Sequence, residues 1–144
     1  MNIIKASKEN VHVVTKLALM LWPEHSYQEL YDDFAKMLGE NDSAIFLASE
    51  NNEFIGFSQC QLRFDYVEGT KSSPVGYLEG IYILENYRRM GVGQKLVTEC
   101  EQWSKAKGCT EFGSAVELNN IESYHFHVSL GFKEYRIICF AKRI

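Results

Sequence analysis

The hydrophobic period changes sharply in the second half of the chain, between Tyr77 and Lys107. Tyr77 to Leu84 is an apolar run broken only by Glu79, which reads as a buried strand. From about Gly93 to Lys107 the apolar residues fall at helical spacing, with Leu96, Cys100 and Trp103 on one face and Gly108 as the stop. Two glycines, Gly91 and Gly93, lie at the changeover. A buried strand running through a glycine turn into a long helix is the unit from which a mixed α/β sheet is built.

The remaining elements fit that frame. Asn2 to Lys5 reads as a first strand, and Ser7 can cap a helix to about Leu21 with Val11, Val14, Ala18 and Leu21 inward. Pro23 ends it. Ser26 and Glu29 have capping-box spacing for a helix to about Leu38, stopped by Gly39. Ala44–Ser49 and Phe54–Tyr66 are strand-like, with Asn51-Asn52 as a hairpin turn, and a polar loop follows over residues 67–75. Phe112–Val116 is a short strand, Asn119 or Asn120 caps a helix through Leu130, and Phe132–Tyr135 and Ile137–Lys142 are read as two final strands. The order β-α-α-β-β-β-α-β-α-β-β predicts one domain over residues 1–144, a mixed α/β sheet with a strand–helix–strand crossover in its second half.

Composition narrows the function. At 46% hydrophobic and 24% charged, the 144 residues can bury a real core. No apolar run reaches the ~18 residues of a membrane span, and nothing near the start reads as a signal peptide. Cys60, Cys100, Cys109 and Cys139 have no Cys-x-x-Cys spacing and are expected as buried thiols of a reduced compartment, which predicts a cytoplasmic protein without a metal site. His125 and His127, two apart on a helix, point to different faces and do not suit a metal. The net charge of −4 is uneven: residues 24–79 hold eleven acids against three bases, residues 80–144 nine bases against seven acids. That division suits two ligands of opposite sign, and the lack of a basic stripe argues against nucleic acid.

The segment Arg88-Arg89-Met90-Gly91-Val92-Gly93 joins the buried strand to the helix. Glycines there let backbone N–H groups close on an anion, the helix start adds partial positive charge, and the arginines add charge-assisted donors. That chemistry suits a pyrophosphate. It is neither Gly-x-Gly-x-x-Gly nor a Walker loop, since no Lys-Ser/Thr follows Gly93.

Arg88-x-x-Gly91-x-Gly93 after a buried strand resembles the acetyl-coenzyme A loop of the GCN5-related N-acetyltransferases (GNAT). Asn120-x-x-Ser123-x-x-x-His127-x-x-x-Gly131-Phe132 is similar to that superfamily's second signature. A narrower resemblance, to the aminoglycoside 6′-N-acetyltransferases, is carried by Leu21-Trp22-Pro23-x-His25, Asp65-Tyr66-Val67-x-Gly69, Ser72-Ser73-Pro74-Val75, Leu78-Glu79-Gly80-Ile81 and Lys107-Gly108-Cys109, together with the closing Lys142-Arg143.

The resemblance implies a mostly antiparallel sheet flanked by about four helices, with splayed parallel strands forming an acetyl-CoA cleft. It assigns Ile81, Tyr82, Ile83, Arg88, Arg89, Met90, Gly91, Val92, Gly93 and Asn120 to the coenzyme. Trp22, His25, Tyr66, Glu79 and Ala115 are assigned to an aminoglycoside, and a homodimer is implied. Glu79 also stands out on its own terms, because an acid in an apolar strand needs either a function or a partner such as Arg63.

Two positions depart from the family. Ala115 stands where the resembling enzymes carry an aspartate near the amine, so Glu117, Glu79 through water, or an altered subsite must take that task. Glu79 through water is the favoured choice. His127 stands where the family has a tyrosine, and a histidine there can serve as an acid, only hydrogen-bond the sulfur, or be a helix-face residue with no role. The predicted reaction is direct transfer in a ternary complex, with Glu79 and His127 as the catalytic candidates. The rival readings are acetylation of a polyamine, protein N-terminus or lysine, and a coenzyme A-binding module without turnover.

Overall fold

A computed structural model describes residues 1–144, in two compact units, Met1–Ser114 and Ala115–Ile144. The first holds a five-stranded sheet in sequential order: β1 (Asn2–Lys5), β2 (Ser43–Glu50), β3 (Glu53–Arg63), β4 (Val75–Ile83) and β5 (Phe112–Ser114). Helices α1 (Val11–Leu21) and α2 (Tyr27–Met37) intervene between β1 and β2, and α3 (Val92–Ala106) between β4 and β5. The pairs β1–β2, β2–β3 and β3–β4 are antiparallel and β4–β5 is parallel, the crossover through α3 making that last pairing possible.

One core packs α1 and α2 on the sheet through Val14, Leu17, Ala18, Leu30 and Phe34 against Ile45, Leu47 and Phe57. α3 packs on the sheet through Leu96 and Cys100: the Ser58 hydroxyl donates to the Leu96 carbonyl at 3.3 Å and accepts from the Cys100 thiol at 3.2 Å. Several local readings hold. Asn51 and Asn52 both have positive φ (51° and 63°) in a two-residue hairpin between Glu50 and Glu53, as a primed turn requires. The Ser26 hydroxyl accepts from Glu29 N–H at 3.1 Å and starts α2.

Four expectations are corrected. Lys8–Asn10 is a 3-10 turn ahead of α1, because the Asn10 side chain turns back to accept from Ser7 N–H at 2.9 Å. β3 stops at Arg63, not Tyr66: Arg63 pairs with Val75, and the next position on the facing strand would be Pro74, which has no N–H to donate. Cys60, Cys100 and Cys109 are buried free thiols, but Cys139 is exposed.

The fourth correction lies in the second unit. Its one regular element is α4 (Ile121–Ser129), N-capped by Asn120, whose Oδ1 accepts from Ser123 N–H at 3.1 Å. Residues 132–144 form neither of the two expected strands. Apolar alternation marks a strand only where a ladder partner is present, and here Ile138 and Phe140 remain 80% and 91% exposed.

Candidate active site

The site is built where two strands part. β4 and β5 pair only from Gly76–Phe112 to Leu78–Ser114, while β4 runs on to Ile83. From Glu79 onward β4 keeps β3 on one side and has no ladder on the other, so the backbone groups of Gly80–Ile83 that point away from β3 have no strand partner. The β3–β4 register also shifts here. Gln59 faces Gly80 and Cys60 faces Leu78, which leaves Glu79 as the extra residue of a bulge. A bulge re-aims a side chain, and this one carries the only charge in the strand.

The re-aimed carboxylate is held firmly. Arg63 Nε and Nη2 donate to Glu79 Oε1 at 3.0 and 2.7 Å, while the guanidinium stacks over Tyr77 at 3.9 Å. Burial is the main cause that raises the Tyr77 phenol pKa; the nearby Arg63 charge opposes the rise and Glu79 adds to it. Glu79 thus has both a structural partner and a functional aspect, since its second oxygen has no protein partner and its side chain lines a groove of about 230 Å³.

The same groove is lined by Trp22, His25 and Asp33. Trp22 follows the last residue of α1, where Pro23 blocks further helix, and meets Phe57 edge-on with centroids 6.3 Å apart. His25 sits between Glu24 and Glu29, its ring nitrogens 3.6 and 3.5 Å from their oxygens. Asp33 was not singled out from the sequence. It could have been, as an acid at the margin of the buried α2 face formed by Leu30, Phe34 and Met37. A second groove of about 340 Å³ shares Asp33 and Met37 with the first and adds Glu40 and Asp42. Tyr66 lies outside both grooves, 74% exposed in the loop after β3.

At the far end of β4 the loop to α3 forms an anion cradle. Gly91 caps α3 in the left-handed region (φ 80°) and Arg89 shares that region (φ 64°), a turn that gathers successive N–H groups. The first bond in the helix runs from Lys95 N–H to the Gly91 carbonyl, so the N–H groups of Val92, Gly93 and Gln94 have no partner carbonyl within it. Arg88 donates through Nε to the Ile83 carbonyl at 2.8 Å and lies 5.2 Å from the Tyr82 ring centroid, which ties the loop to the end of the strand. Arg89 and Met90 are exposed. The cradle can hold a pyrophosphate, with charge beside it and open backbone leading away along β4.

The second unit holds Ala115, Asn120 and His127. His127 Nδ1 lies 2.7 Å from the Ser123 carbonyl, which can only accept, so Nδ1 carries a proton. The ring packs on Phe132 at 5.1 Å. Ala115 is exposed and brings no polar atom in its side chain. No group of three or more His, Cys, Asp or Glu is placed to hold a metal ion, and no helix is long and apolar enough to cross a membrane.

Residues 11–132 match the family described as acetyltransferase (GNAT) family. The chain is 38% identical over 145 residues to aminoglycoside N(6′)-acetyltransferase type 1 of Acinetobacter haemolyticus, covering 100% of this chain and 99% of that one. It is 32% identical over 142 residues to the protein of the same name from Serratia marcescens, with 98% and 97% covered. The solved structure of AAC(6′)-Iy in complex with the bisubstrate analogue CoA-S-monomethyl-acetylneamine superposes with a TM-score of 0.95 at 35% identity, over 99% of this chain and 98% of that one.

Proposed function

Because the chain belongs to the GNAT family of acetyltransferases, we propose that it moves acetyl from acetyl-CoA to the 6′-amine of aminoglycosides and so confers resistance to them. The observation that carries this reading is the parting of β4 from β5 beside a groove that holds Trp22, His25 and the bulged Glu79. A polycation with sugar rings needs carboxylates and flat surfaces, and the groove supplies both.

The residues fit the coenzyme. The N–H groups of Val92, Gly93 and Gln94, with Arg89, would hold the pyrophosphate, and Arg88 keeps that loop docked on Ile83. The unladdered backbone of Ile81, Tyr82 and Ile83 would take the pantetheine arm, and one N–H there would polarise the acyl carbonyl, an oxyanion-hole role. When bound, acetyl-CoA supplies a thioester open to attack by a neutral amine. Glu79 draws in the ammonium with its unpaired oxygen and orders the water that takes the proton, a task Ala115 cannot perform. Trp22, His25 and Tyr66 line up the rings, so proximity supplies much of the rate. The family resemblance supports assigning Asn120 to the coenzyme and His127 to its sulfur.

An acyl-enzyme is not part of this reading. Cys100 and burial both push the Cys60 thiol far up, burial raises Cys109 as well, and the thiolate a nucleophile needs is suppressed.

The chain is read as a single catalytic domain, working in the cytoplasm, where its buried free thiols stay reduced. It is also read as a homodimer, supported by the exposed Tyr135, Ile137, Ile138 and Phe140. Light scattering should give twice 16.6 kDa, and Phe140→Glu should return the monomer.

The deciding experiment is thiol release from acetyl-CoA with tobramycin and with a matched analogue carrying a 6′-hydroxyl. Turnover with the amine only is the expected result. Turnover of spermidine in place of tobramycin would turn the reading toward polyamines, which the second acidic groove would also suit.

A further inference from the structure

The loop between β3 and β4, residues 64–74, carries Asp65 and Tyr66 and is long enough to be mobile if nothing held it. It is held at several points. The Ser73 hydroxyl donates to the Phe64 carbonyl at 3.0 Å and closes the loop at its base. Val67, 8% exposed, plugs against β5, where a Cβ at Gly113 would stand 2.9 Å from its Cγ1. Thr70 donates twice to the Val67 carbonyl, from N–H at 3.0 Å and from the hydroxyl at 2.7 Å.

The remaining hold is a carboxylate from outside the loop. Glu111 Oε1 accepts from the N–H groups of Lys71 and Ser72, both at 2.9 Å, and from the Ser72 hydroxyl. The Thr110 hydroxyl reaches the same Ser72 Oγ at 3.4 Å. The Glu111 carbonyl meanwhile accepts from Gly76 N–H at 3.1 Å, at the residue where the β4–β5 ladder begins. One residue therefore joins the sheet through its main chain and the loop through its side chain.

We propose that Glu111 is a positioning residue for the acceptor: by pinning Lys71 and Ser72 it holds the loop that presents Tyr66 to the sugar rings. The inference rests on the reading above that Tyr66 meets the acceptor. Tyr66 is 74% exposed, so little packing orients its ring, and its direction follows from its backbone. That backbone is set by the Val67 plug on one side and the Glu111 pin further along. A carboxylate suits the pin because it offers only acceptors to three donors, and such charge-assisted bonds are stronger than neutral ones.

The test is steady-state kinetics with tobramycin and acetyl-CoA on the full chain. Glu111→Ala should raise the tobramycin KM about tenfold, leaving kcat and the acetyl-CoA KM unchanged, and Glu111→Gln, which keeps an acceptor oxygen, should recover most of the loss. In a Tyr66→Ala background, Glu111→Ala should add nothing to KM, because one residue acts through the other. Hydrogen exchange at the Lys71 and Ser72 amides should speed up in Glu111→Ala. Additive effects in the double variant, an unchanged tobramycin KM, or an equal loss in kcat and both KM values would overturn the proposal. If the unaltered enzyme turns over no aminoglycoside, the proposed function fails first and the presentation of Tyr66 to the rings falls with it. The exchange experiment then judges the pin alone, and unchanged protection in Glu111→Ala would overturn that too.

Discussion

Trp22 rests on a stretch of backbone with no room for a side chain: a Cβ at Gly80 would stand 2.6 Å from its Cη2 and 2.7 Å from its Cζ2. Gly80 immediately follows the bulged Glu79, so the contact sets the end of α1 against the point where β4 leaves β5. Gly80→Ala should force the indole away and cost about 1–3 kcal/mol, the usual range for overpacking. Urea denaturation measures the loss, and the tobramycin KM should rise with it. An unchanged KM would separate Trp22 from the acceptor.

The Arg63–Glu79 pair should show two separable effects. The Glu79 side chain is 20% exposed and Arg63 40%, so the pair is partly screened and Arg63→Ala should cost about 1–2 kcal/mol of stability. Glu79→Gln keeps the shape and removes the charge. It should lower kcat/KM for tobramycin roughly tenfold to a hundredfold, one charge-assisted bond's worth, and leave acetyl-CoA affinity intact. Equal losses toward both substrates would deny Glu79 its role at the amine.

At the cradle, Gly91→Ala meets nothing within 4 Å, so its cost is backbone strain alone at φ 80°, about 1–2 kcal/mol. The N–H groups of the turn should lose their aim, and the acetyl-CoA KM should rise. Arg89→Gly works in the opposite sense on stability, relieving strain at φ 64°, and still raises the acetyl-CoA KM by loss of charge. A calorimetric titration with coenzyme A checks both variants.

The Glu111 carboxyl is held below its ordinary value of 4.5, first by the Ser72 hydroxyl and then by the Lys71 amide. The folded chain therefore binds that proton more weakly than the unfolded chain. The stabilisation is complete above the ordinary value and disappears as pH falls through the lower folded one. Urea midpoints of the unaltered protein and Glu111→Gln should converge as pH drops from about 6 to about 3. Parallel midpoints across that range would place the lowered pKa outside folding.

His127 donates Nδ1–H to the Ser123 carbonyl, so only its charged form can donate from Nε2. A thiolate with a pKa of about 8.5 leaves without much help, so His127→Ala should lower kcat by less than about tenfold. A loss of a hundredfold or more would mark a true proton donor.

Much of the fold is legible residue by residue. Ser26 and Glu29 announce the start of α2, the Asn51-Asn52 pair the hairpin, and Gly91 and Gly93 the turn into α3, because each of these is decided within a few residues of backbone. The cradle could be read for the same reason. Two of the readings that failed depended on a partner strand. Residues 64–66 looked like strand until the ladder ran out at Pro74, and residues 132–144 alternate in polarity without a ladder to join. Glu111 carries no local signal at all, since its three donors come from Lys71 and Ser72, about forty positions away.

Glu79 marks the division most clearly. By itself the sequence determined that an acid interrupts an apolar strand next to an anion-binding turn, because period and residue type are properties of the chain alone. Only the tertiary structure decided that this acid is the extra residue of a bulge, paired with Arg63 through one oxygen and open to the groove through the other. A bulge exists only as a mismatch between two strands whose neighbours fix their ends, and neither strand's sequence contains the other's count.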